Sequence, residues 1–97
     1  MKEIENKITE LEKADTKDYY RYYDLIKEVI DRKPVQGFSR DDYKKRDRIE
    51  DAMASRDDEV LKFEDNDFSE LQRLTGEMTW YIRHKDISTF IDLIEAT

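Results

Sequence analysis

Apolar residues recur at three- and four-residue intervals along nearly the whole chain, and only two Gly and one Pro interrupt them. That spacing lays one face of an α-helix against a core, and so few turn-forming residues leave little room for an all-β fold. The 97 residues make one domain, 1–97, with a modest core. At 37% hydrophobic and 44% charged, the composition alone would suit a disordered chain; the helical spacing argues for folding.

The expected architecture is therefore all-α, a small bundle of four to five helices. Residues 3–13 place Ile4, Ile8 and Leu11 on one helical face. Asp15 or Thr16 caps the next helix, whose broad face carries Tyr19, Tyr22, Tyr23, Ile26, Val29 and Ile30 before Pro34 ends it. Ser39 and Asp42 make a capping box, with Asp in place of the usual Glu. The helix that follows runs to about Glu64 along the seam Ile49, Met53, Val60 and Phe63, with Arg56 at the polar position. Ser55 and Asp58 repeat the capping pattern, so a break near residue 55 is the alternative. Asp67 and Glu70 open another helix, with Phe68, Leu71, Thr75, Met78 and Ile82 inward and Gly76 marking a kink or stop. Asp86 caps the last, which carries Ile87, Phe90, Ile91 and Ile94.

Charge is unevenly placed. Between Glu50 and Glu70 there are nine acids and two bases, a balance of −7, equal to that of the whole chain. Three acidic pairs recur every seven residues: Glu50-Asp51, Asp57-Asp58 and Glu64-Asp65. On a continuous helix they stack into a stripe about 21 Å long, pointing away from the seam. A solvated face normally mixes signs, and stacked like charges cost a little stability, so the stripe reads as a binding surface for something positive. Duplex DNA carries roughly 12 charges over that length, and the stripe supplies about half as many. The expected partner is thus a basic protein surface, such as the groove of a nucleic-acid-binding protein, occupied by a partial DNA mimic. In composition the chain resembles small acidic bacteriophage proteins that block host nucleases or CRISPR effectors; no motif carries that likeness. The resemblance implies an inhibitor acting in the host cytoplasm.

Direct nucleic-acid binding is disfavoured by a pI near 4.7. The basic run KKRDR at 44–48 is diluted by Asp41, Asp42 and Asp47 and reads as a solvated face. With no Cys and one His, zinc has no ligand set. The run from Asp65 opens like a calcium loop but has Glu70 where Gly belongs and Gly76 where Glu belongs. No cofactor or metal is expected. No apolar run approaches a membrane span, and the opening stretch has no apolar core of a signal peptide, so a cytoplasmic chain without membrane contact is expected. His84 has Asp86 and Ser88 nearby in sequence but no nucleophile turn or oxyanion donors, so catalysis is not expected.

Two aromatics are secondary partner-binding candidates. Tyr20 points off the tyrosine face, and Trp80 lies opposite Met78 and Ile82 on a continuous helix. The plainer reading covers Trp80 with the tail carrying Ile87 and Phe90. An interface built from these aromatics allows a homodimer, the alternative function being a structural or regulatory homo-oligomer.

Overall fold

The segment KEIENKITELE alternates as well as it cycles, and alternation wins. In the computed structural model, which describes residues 1–97, it forms β1 (Lys2–Glu5) and β2 (Ile8–Glu12). Ile4 is buried between exposed Glu3 and Glu5, and Thr9 is buried while Ile8 faces out. The order continues with β3 (Tyr19–Arg21), α1 (Tyr22–Asp31), α2 (Arg40–Ala52), β4 (Val60–Phe63), α3 (Asp65–Glu77) and α4 (Lys85–Ala96). The all-α bundle is thereby corrected: four helices accompany two two-stranded antiparallel sheets, β1–β4 and β2–β3.

The sharpest departure lies between residues 53 and 63. α2 begins where the capping box puts it: Ser39 Oγ accepts from the Asp42 N–H at 3.1 Å, and Asp42 accepts from the Ser39 N–H at 3.0 Å. It ends at Ala52, however, and a turn follows in which Ser55 Oγ accepts from the Asp57 N–H at 3.2 Å. The chain then runs straight as β4. Leu61 and Phe63 face inward, at 1% and 0% exposure, and Val60 faces solvent at 43%. A helical seam would have buried Val60 and exposed Leu61. The strand prevails because β1 offers an antiparallel partner, with Ile4 opposite Leu61.

α1 starts at Tyr22, later than an Asp15 or Thr16 cap would give. Residues 13–18 instead turn back, with Lys17 in the left-handed region at φ 58°. The first turn is capped by Asp24, whose carboxylate accepts the Arg21 N–H at 2.8 Å. α3 packs against α1, α2 and α4 and so forms the middle of the helical layer. Ile26, Phe63, Phe68, Leu71, Phe90 and Ile94, drawn from α1, β4, α3 and α4, belong to one buried core. Tyr22 meets Phe90 edge-on at 5.2 Å, and Phe63 lies 5.7 Å from Phe68. α3 stops at Glu77, just past Gly76, so Ile82 falls outside it and is 55% exposed. His84 caps α4, its Nδ1 accepting the Asp86 N–H at 3.0 Å. No helix is long and apolar enough to cross a membrane.

Two adjacent truncations separate strand from helix at β4. Leu61→Ala should cost about 3 kcal/mol in a denaturant titration, and Val60→Ala should stay within roughly 0.5 kcal/mol. The reverse order would restore the helical seam.

Candidate functional site

The six stripe carboxylates remain exposed but lie on three different elements. Glu50 and Asp51 occupy the last turn of α2, Asp57 and Asp58 the turn after it, and Glu64 and Asp65 the start of α3. The expected acidic helix is therefore corrected, because no helix runs through residues 53–63. Three of the six carry a cation of the chain itself. Lys27 sits 3.1 Å from Glu50, Arg21 3.8 Å from Asp57, and the Met1 α-amino group 3.1 Å from Asp65. Asp51, Asp58 and Glu64 make no ion pair within 4.0 Å. At the start of α3, negative charge also suits the helix dipole, which gives Glu64 and Asp65 a structural use.

The turn holding Asp57 and Asp58 is fixed by buried polar groups. Asn6 Nδ2 donates to the carbonyls of Arg56 and Asp58, each at 2.8 Å, and its Oδ1 accepts the Tyr23 N–H at 2.8 Å. Arg56 Nε donates to both oxygens of Asp24 at 3.0 Å, and its Nη2 lies 3.1 Å from Asp18. Lys13 adds a third cation-to-carboxylate link, 3.3 Å from Asp24. Arg56 thus does not join an apolar seam; it is the cation that fastens this turn to α1.

The two aromatic candidates are brought together. Tyr20 on β3 and Trp80, in the segment between α3 and α4, both line a groove of about 140 Å³ with Leu11, Met78, Tyr81 and Ile82. Trp80 is half-buried, its ring edge-on to Phe90 at 6.3 Å. Its Nε1 is sealed from solvent and has no acceptor. Tyr81 at the rim is 89% exposed, stacked on Arg32 at 5.1 Å. Glu28 is the only charged residue of the lining and makes no ion pair within 4.0 Å. The groove forms because α3 ends at Glu77, so that Met78, Trp80, Tyr81 and Ile82 come beside Leu25 and Glu28 of α1 and Leu11 and Tyr20 of the β2–β3 hairpin.

Arg46 went unseen among the solvated basic residues. It is 9% exposed, and its Nη1 donates to the carbonyls of Ile30 at 2.9 Å and Arg32 at 3.3 Å at the end of α1. Its spacing held the signal, since Arg46 stands three before Ile49 and seven before Met53 on the core face of α2. The calcium-like run from Asp65 is helical, and no group of three His, Cys, Asp or Glu side chains is placed to hold a metal. No protein family, curated protein or solved structure matches the chain, so function is argued from geometry.

Asp24 gives the turn a pH dependence. Burial raises its pKa, but hydrogen bonds from Arg56, the Arg21 N–H and Lys13 outweigh burial and hold it below the usual aspartate value. A depressed carboxyl stabilises the fold fully above the unfolded value, about 3.9, and loses that contribution as pH falls through the folded value. The urea midpoint should therefore fall as the pH drops below about 4. Asp24→Asn should remove part of that slope and cost about 2 kcal/mol at neutral pH. Asp18, Asp42 and Glu70, also held low, keep the remainder. An unchanged slope in the variant would remove Asp24 from the account.

Proposed function

We propose that this chain is a non-enzymatic interaction protein that docks onto a basic partner protein through the groove between Tyr20 and Trp80. The observation that carries the reading is Tyr81 and Ile82, 89% and 55% exposed, standing at the rim of an apolar groove. At about 140 Å³ the groove falls below the roughly 300 Å³ at which small-molecule pockets begin, and it suits one inserted aliphatic side chain. Glu28, unpaired on the lining, favours an anchor flanked by Lys or Arg. Aromatic residues of this kind dominate binding energy where they are desolvated on association.

A second reading keeps the acidic surface as the docking element and a nucleic-acid-binding protein as its target. Its support is that all six carboxylates are exposed and that Asp51, Asp58 and Glu64 have no internal cation. Against it stands the pairing of the other three, which halves the field the sequence pattern promised.

Two variants separate these readings. Tyr81→Ser with Ile82→Ser should leave the circular dichroism unchanged and weaken a captured partner by about thirtyfold, roughly 2 kcal/mol. Neutralising Glu50, Asp51, Asp57, Asp58, Glu64 and Asp65 to Gln or Asn should lower the association rate and its salt dependence while leaving most of the affinity. If the six-fold variant loses binding and the groove variant keeps it, with DNA competing, the acidic reading stands and the groove reading falls. A dimer in light scattering that the groove variant dissolves would make the partner a second copy of this chain.

A further inference from the structure

Among the charged residues of one pocket, cations predominate. A pocket of about 350 Å³ opens between the end of α1, the loop after it, α2 and the end of α3. Its charged lining is Arg32, Lys33 and Arg46 against a single acid, Glu77. That acid is already held by Arg73 at 3.1 Å. None of the three cations has a carboxylate within 4.0 Å. Arg46 is the informative member. Its Nη1 is spent on the carbonyls of Ile30 in α1 and Arg32 just past it, and its guanidinium lies 5.0 Å from the Phe38 ring. Its Nε is buried without a partner, and its Nη2 makes no hydrogen bond within the protein yet is not sealed from solvent. A charge so nearly buried is costly unless it meets an opposite one. Asp42 and Glu70 feel the charge of Arg46, but no acid of the chain reaches it as an ion pair.

We propose that this pocket binds a small phosphomonoester. Three cations on one lining suit a dianion better than a single carboxylate, and a guanidinium presents paired donors to phosphate oxygens, although Arg32 also bonds the Thr79 carbonyl at 3.4 Å. Val29, Leu74 and Met78 line the same cavity and give an organic body apolar surface. The volume lies within the range of small-molecule sites, unlike the aromatic groove. The proposal does not rest on the docking reading, although the two sites adjoin at Met78 and at the Arg32–Tyr81 stack.

Phenyl phosphate, inorganic phosphate and phenol are titrated at low salt into the ¹⁵N-labelled full chain, with amide shifts followed. Phenyl phosphate should saturate, with shifts concentrated at residues 29–36 and 74–79. Inorganic phosphate should bind more weakly at the same amides, and phenol should not bind. Arg32→Gln with Lys33→Gln changes two outer cations and should weaken phenyl phosphate about tenfold or more with the fold intact. Arg46→Met should abolish binding; because Arg46 also closes the end of α1, its circular dichroism is read first, and the double variant decides if it unfolds. Unsaturable shifts at millimolar ligand, shifts spread over other surfaces, or equal affinity in the double variant would each overturn the proposal. Saturation by inorganic phosphate with no gain for the phenyl ester would also overturn it, leaving an anion site without an organic subsite.

Discussion

Asp24 gathers the Arg56 guanidinium, the Arg21 N–H and the Lys13 ammonium around one nearly buried carboxylate. Those donors come from the turn between α2 and β4, the start of α1 and the β2–β3 hairpin, so three parts of the chain converge on it. Asn6 works beside it, taking the carbonyls of Arg56 and Asp58 and the Tyr23 N–H. Had residues 53–59 stayed helical, those carbonyls would have accepted bonds along the helix instead. The polar node thus explains why α2 stops, why the next segment lies over the start of α1, and why β4 arrives beside β1. Breaking a buried network of this kind costs more than any single bond in it, since the groups left behind stay buried and unpaired.

The inner faces of the helices and one cap were legible because their determinants are local, whereas the caps expected at Asp15 or Thr16 and at Asp86 gave way to Arg21 and His84. Ser39 with Asp42 fixed the start of α2 within four residues of sequence, and Phe68, Leu71 and Thr75 marked the inner face of α3. The strands were not legible, for two physical reasons. Four or five residues hold too few repeats to separate a period of two from one of 3.6, so Val60–Phe63 fitted both templates. The partner that decides between them also lies far along the chain, β1 for β4. Ser55 held the local hint of a break, and the long-range partner turned that hint into a strand.

The same error undid the charge pattern. A seven-residue repeat of acids means a stripe only while one helix carries it; once the chain turns at residues 53–59, the pairs separate and three of their carboxylates find cations inside the fold. The aromatic candidates fared differently, since Tyr20 and Trp80 share a groove although they sit on unconnected segments. Each had been singled out as failing to fit its helix face, and residues that fit no regular face are the ones a short domain leaves for its surface.

β1 consists of four residues bonded only to a strand some sixty positions later, and the Lys2 ammonium reaches the Thr97 carbonyl at 3.2 Å. Its pairing must therefore wait until the segments between have collapsed, because loop-closure entropy opposes so distant a contact until then. The helical layer can assemble from near neighbours, but the last strand closes like a latch over a nearly finished body. Such a strand is also the first to let go. Its amides should exchange ahead of those of the helical layer, and its release would bare Leu61, which pairs opposite Ile4.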